Sequence, residues 1–131
     1  MLVADGEGKP IGISIESASP HEVKLAPDAI KAVQTKKKPE RVIGDKAYSS
    51  RELRSHLKKQ GIELIAPDKE NYKVKVQDGR SLRRYKGRWK IERLNAWLQN
   101  FRRLTVRWEY KAENYLSFLN LGACLLLLRH F

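Results

Sequence analysis

The chain is 131 residues long, with 27 Lys+Arg against 15 Asp+Glu, a formal net charge of +12 and 41% hydrophobic residues. That length predicts one domain with a modest core, and that apolar content excludes a disordered tail. The charge is uneven, since residues 69–111 hold 14 Lys/Arg and 4 Asp/Glu, residues 1–68 hold 12 and 10, and residues 112–131 are neutral. A basic third of the chain interleaved with Tyr72, Tyr85, Trp89, Trp97 and Trp108 predicts a phosphate-binding surface, the plainer alternative being a solvated helix face and loop. Cys124 is alone, which excludes an intrachain disulfide and fits a reducing cytosol; it reads as a core residue. The apolar run at 116–128 is shorter than the ~20 residues a membrane span needs. Met1-Leu2-Val3-Ala4 lacks the charged start of a secretion signal. The expectation is a cytoplasmic, nucleoid-associated protein with no membrane partner.

Residues 2–4 and 10–16 are β-compatible runs around Asp5-Gly6-Glu7-Gly8, a hairpin signal. Residues 17–20 read as a turn, and residues 22–33 have helical spacing through Val23, Ala26, Ile30 and Val33, with a kink or restart at Pro27. The linker Lys36-Lys37-Lys38-Pro39 precedes Arg41-Val42-Ile43-Gly44-Asp45, a short strand with Asp45 at its carboxyl end. Ser49 and Glu52 have capping-box spacing, Leu53 and Leu57 lie one turn apart, and Gly61 can end the helix in a left-handed conformation. Residues 62–66 form the next strand, stopped by Pro67. Residues 68–82 read as a basic loop or insertion, and residues 83–131 as C-terminal helices. The first of these, over 84–104, has a core face of Leu94, Trp97, Leu98 and Phe101. On another side of that helix lie Arg88, Glu92, Gln99 and Arg103. Trp89 and Trp97 are expected in the core, and 116–128 is expected as a buried helix.

The stretches LVADGEGKPIGISIESASPHE, VIGDKAYSS, GIELIAP and RYKGRWKIERLNAWLQNFRRLTVRWEYKAENYLSFLNL together resemble the DDE transposases of bacterial insertion sequences, of the insertion sequence 4/5 type. The resemblance covers essentially the whole chain. It implies an α/β, ribonuclease-H-like (retroviral-integrase-like) mixed sheet flanked by helices. It also implies three acids, Asp, Asp and Glu, holding two divalent ions, Mg²⁺ or Mn²⁺. Asp45 matches the second acid and Glu92 the third. The third-acid signature of the family, Tyr, Arg, Glu and then Lys, reads here Tyr85, Arg88, Glu92 and Gln99, so three of its four positions agree. Arg88 would orient the site, and Arg83, Arg84, Lys86, Lys90, Gln99, Arg102 and Arg103 are candidate DNA contacts. The family fold has strand order 3-2-1-4-5 with the first Asp on the central strand, and the first two strands here look like the family's second and third. The expected fold is therefore truncated before its first, central strand. Asp5, in the turn after the first strand, is not the first acid.

Taken singly, these residues have plain explanations. Gly-Asp after a strand is common in turns, and Glu92 beside Arg88 at i−4 is a surface pair of roughly 0.3–0.5 kcal/mol. His21 reads as a turn or cap residue, and His56 and His130 show no metal-ligand spacing. The leading expectation is a transposase fragment that binds double-stranded DNA, both transposon ends and target, and contributes two of three acids for phosphodiester hydrolysis and strand transfer. Its partners would be that DNA, an upstream-frame transposase segment and further copies of itself. The alternatives are a non-catalytic DNA-binding regulator and an inactive remnant.

Overall fold

A computed structural model describes residues 1–16, 21–73 and 79–129. The turn expected at 17–20 and the middle of the basic loop lie outside the described residues. The chain divides into two compact units.

The first unit begins with β1 (Leu2–Ala4) and β2 (Pro10–Ile13), paired antiparallel with Leu2 opposite Ile13 and Val3 opposite Gly12, and a register shift between Val3 and Ala4. Asp5 shapes the turn between them. Its Oδ1 accepts the N–H groups of Glu7 and Lys9, both at 2.9 Å, which is the side-chain turn chemistry expected of Asp. The second half of α1 (Glu22–Lys31) also belongs here. The chain then returns to this unit as α4 (Trp89–Gln99), α5 (Arg102–Thr105) and α6 (Ala112–Leu128). Strand β1 packs on α4, β2 packs on α6, and the three helices pack on one another. Leu94, Leu98, Leu104 and Leu126 are buried at the centre, with Leu2, Trp97, Phe101, Phe118 and Leu119 against them. The expected Leu94/Leu98 core stripe is thus present, while Trp97 and Phe101 lie half-buried at its margin.

The second unit holds β3 (Arg41–Ile43) and β4 (Glu63–Ile65), paired parallel with Val42 opposite Leu64. A parallel pair needs a crossover, supplied here by a 3-10 turn (Lys46–Tyr48) and α2 (Arg51–Lys59). Helix α2 buries Leu53 and Leu57 and packs on β4, and Ile62, Leu64, Ile65 and Ala66 are buried as well. Burial of a side chain such as Leu57 or Ile65 is worth about 1.5–3 kcal/mol. Gly61, at φ +77°, ends the helix in the left-handed region where a side chain would be strained. Helix α3 (Gly79–Tyr85) also packs on β4. The two edges of the pair differ. On β4, Arg54 donates to Leu64 O at 3.5 Å and Ala66 O at 2.7 Å while bonding Asp68 at 3.0 Å. On β3, the exposed residues Arg41 and Ile43 lie on an edge that no described strand covers.

Four expectations are corrected. The helix expected over 84–104 is not continuous: α3 tightens into a 3-10 turn at Lys86–Arg88, α4 follows, and α5 is a separate short helix. Gly87 is a poor interior helix residue, and 3-10 turns commonly end helices. The cap of α2 is Ser50, whose side chain accepts from Leu53 N at 3.3 Å, not Ser49, which is fully buried. The C-terminal helix is buried on one face only, through Gly122, Ala123 and Leu126, leaving Leu121, Cys124, Leu125 and Leu128 exposed. Trp89 is half-exposed and lies against the Arg93 guanidinium, outside the core cluster.

Candidate functional site

Asp45 follows β3 by two residues and caps the 3-10 turn, its Oδ1 accepting from Ala47 N at 2.8 Å. That single bond fixes the carboxylate at the carboxyl end of the parallel pair, and Oδ2 takes no part in it. Lys46, its neighbour, is turned to Glu70 at 2.5 Å. Gly44 lets Tyr48 pack closely on this turn, since a Cβ there would meet Tyr48 side-chain atoms at 3.1 Å and push the ring away. The Tyr48 phenol is pushed up to about 12, first by burial and then by the negative charges of Glu22 and Asp45 and a hydrogen bond to Glu22. Asp45 therefore sits on a small built turn in which each residue of Gly44-Asp45-x-x-Tyr48 has a structural task. A carboxylate held by one oxygen fits the role of ligand to a hard divalent cation, which takes oxygen donors.

Tyr85 ends α3 and Arg88 ends the 3-10 turn after it, with the Arg88 guanidinium over the Tyr85 ring at 5.5 Å from its centroid. Glu92 lies in the first turn of α4, where a negative charge suits the helix dipole. It is exposed. Because Arg88 lies in the 3-10 turn before α4 and Arg103 in α5 after it, neither shares the helix of Glu92, as a continuous wheel had implied; of the stripe only Gln99 does. Among the described residues, no group of three His, Cys, Asp or Glu side chains comes together as a metal cluster.

The candidate DNA contacts divide by environment. Arg83, Arg84 and Lys86 are exposed, as are Gln99, Arg102 and Arg103. Arg103 also lies over the Phe118 ring. Lys90 is half-buried and donates to the Gly6 carbonyl, which gives it a structural task in holding the hairpin turn to α4. Arg93, not singled out in the sequence, shares that task. Its guanidinium is stacked between Trp89 and Trp97, at 4.7 and 4.6 Å from the ring centroids, and donates to Glu7 O at 3.2 Å. The signal was present as Trp, Arg and Trp at intervals of four on one helix, a spacing that places all three on one side.

These features define an α/β protein with an acid on a built turn in one unit and exposed basic residues on helices of both. The family model described as "Transposase DDE domain" matches residues 1–128, and the chain belongs to that family. It is 34% identical over 133 residues to the "Putative transposase for insertion sequence element IS402" of Burkholderia cepacia, covering 95% of this chain and 60% of that relative. The chain therefore spans 60% of the length of the curated relative it matches. No solved structure matches it. No helix among the described residues is long and apolar enough to cross a membrane.

Proposed function

We propose that these residues are part of the ribonuclease-H-like catalytic domain of a transposase, binding double-stranded DNA and supplying the second and third metal-binding acids, Asp45 and Glu92. The observation that carries this is the built turn at Asp45: a carboxylate fixed through one oxygen at the carboxyl end of a parallel strand pair. The strand pairing supports it too. In the family order 3-2-1-4-5, strands 2 and 3 are neighbours and so are 4 and 5. The chain has one antiparallel pair and one parallel pair in that sequence order, and the strand bearing the first Asp would come from a segment outside these residues.

Divalent ions, when bound, activate water or a DNA 3′-hydroxyl and stabilise the leaving oxygen. The residues of this chain bind and orient. Asp45 and Glu92 offer oxygen ligands, Arg88 is stacked on Tyr85 so that its cation is held in place, and Arg83, Arg84, Lys86, Gln99, Arg102 and Arg103 meet phosphates. Two acids without a third hold Mg²⁺ poorly, because that ion demands near-octahedral oxygen coordination.

The test compares the 131-residue chain with a longer version that includes the first-acid strand. The short chain is expected to bind duplex DNA but to join no strands in Mg²⁺, and the longer one to join them unless it carries Asp45→Asn or Glu92→Gln. Robust Mg²⁺-dependent joining by the short chain alone overturns the proposal. A second reading, a non-catalytic DNA-binding regulator, is favoured by the concentration of exposed cations in residues 69–111; it is supported if the longer version binds DNA and joins nothing.

A further inference from the structure

Between α5 and α6 the chain runs Val106-Arg107-Trp108-Glu109-Tyr110-Lys111 and gives two aromatic rings to solvent: Trp108 is 74% exposed and Tyr110 97%. The segment is held from within. Arg107 Nε donates to Glu109 O at 3.0 Å and its Nη2 to Tyr110 O at 3.1 Å. The Trp108 N–H donates to Glu109 Oε2 at 3.2 Å, and the Glu109 side chain, only 7% exposed, lies 3.9 Å from Arg103. At its base, the Tyr115 hydroxyl donates to Leu104 O at 2.8 Å and so ties α6 to α5.

An indole and a phenol on a pinned turn add nothing to the core, and their rings carry large apolar faces that gain by being covered. The setting selects what can cover them. Arg102, Arg103 and Lys111 are exposed within nine residues of both rings, and the only apolar neighbour in the turn is Val106. An apolar protein surface laid here would have to strip water from those cations. A nucleic-acid strand would not, because its phosphates pair with them while its bases stack on the rings. Base faces are available for stacking only when the strand is unpaired, since a duplex keeps them against each other.

We propose that residues 106–111 form a stacking platform for unpaired bases of a DNA strand, with Trp108 and Tyr110 as the stacking rings and Arg102, Arg103 and Lys111 meeting the adjoining phosphates. This rests on the DNA-binding reading above and adds to it a place where an opened strand is held. Arg107 is the positioning residue, spending its guanidinium on the turn's own carbonyls.

The experiment measures affinity for a short single-stranded DNA oligonucleotide, for an abasic strand of the same length, and for a duplex. Trp108→Ala is expected to weaken single-strand binding by roughly 5- to 150-fold, the span of one lost base stack. Trp108→Phe should restore most of it. Binding to the abasic strand, and the slope of log affinity against log salt, should be the same for all three proteins, because no phosphate contact is removed. Equal weakening on the abasic strand, or no change on the normal one, overturns the platform. A wild-type chain that binds no DNA overturns the DNA-binding reading as well, whereas a wild type that binds and a Trp108→Ala variant that binds equally sinks the platform alone. Because Trp108 is exposed and its backbone N–H remains, the variant folds.

Discussion

Tyr48 shows at single-residue scale how the Asp45 turn is held. Its ring closes over Gly44, and its hydroxyl, pushed up to about 12, stays neutral where an ordinary phenol ionises near 10. For an acid whose folded value is raised, the folded chain keeps the proton that the unfolded chain releases, so stability falls as pH rises from about 10 to 12. Alkaline unfolding followed by urea denaturation should show this decline, and Tyr48→Phe should flatten it. An unchanged profile in the variant would mean that the phenol is not the group responsible. Of this arrangement, the sequence made legible the acid and its place after a strand. It did not reveal why Gly44 and Tyr48 accompany it, because the close approach of a ring to a backbone four residues earlier, outside a helix, has no periodic signature.

At the scale of elements, the hairpin, α2, the parallel strands and the Leu94/Leu98 face follow from patterns of two and 3.6 residues and were foreseeable. The errors arose where two candidates satisfied one rule. Ser49 and Ser50 both precede α2, and the S-x-x-E spacing favours Ser49. Burial decides otherwise, since the Ser49 carbonyl accepts from the Tyr72 hydroxyl at 2.9 Å and its own hydroxyl has no partner among the described residues. Ser50→Ala is therefore expected to cost about 1 kcal/mol through loss of the cap. Ser49→Ala should be nearly neutral or slightly stabilising, because it removes an unsatisfied buried hydroxyl. Urea midpoints of the two variants test this, and the reverse ranking would restore Ser49 as the cap. The break at Lys86–Arg88 was hidden for a related reason: apolar spacing on either side of a 3-10 turn still looks helical when read as one wheel.

For the molecule as a whole, charge is the dominant property. The net +12 and its concentration in residues 69–111 were readable without a structure; the exposure of Arg83, Arg84, Arg102 and Arg103 was not. Neutralising phosphates with such residues releases counterions, so duplex affinity should fall with salt at about −0.9 in log–log slope per phosphate contacted. Replacing Arg83 or Arg84 by Ala should reduce that slope by about one each if they are phosphate contacts. A shallow wild-type slope would place the DNA surface elsewhere.

The Arg54 side chain has a consequence of another kind. By filling the carbonyls of Leu64 and Ala66 it acts as a stopper on β4, while no described strand covers the edge of β3. The parallel pair can thus be extended from one side only. Adding a strand at β3 would complete a sheet, but no further chain could attach beyond β4. Unpaired strand edges are templates for pairing with another chain, and of the two edges of this pair the Arg54 side chain takes one out of use.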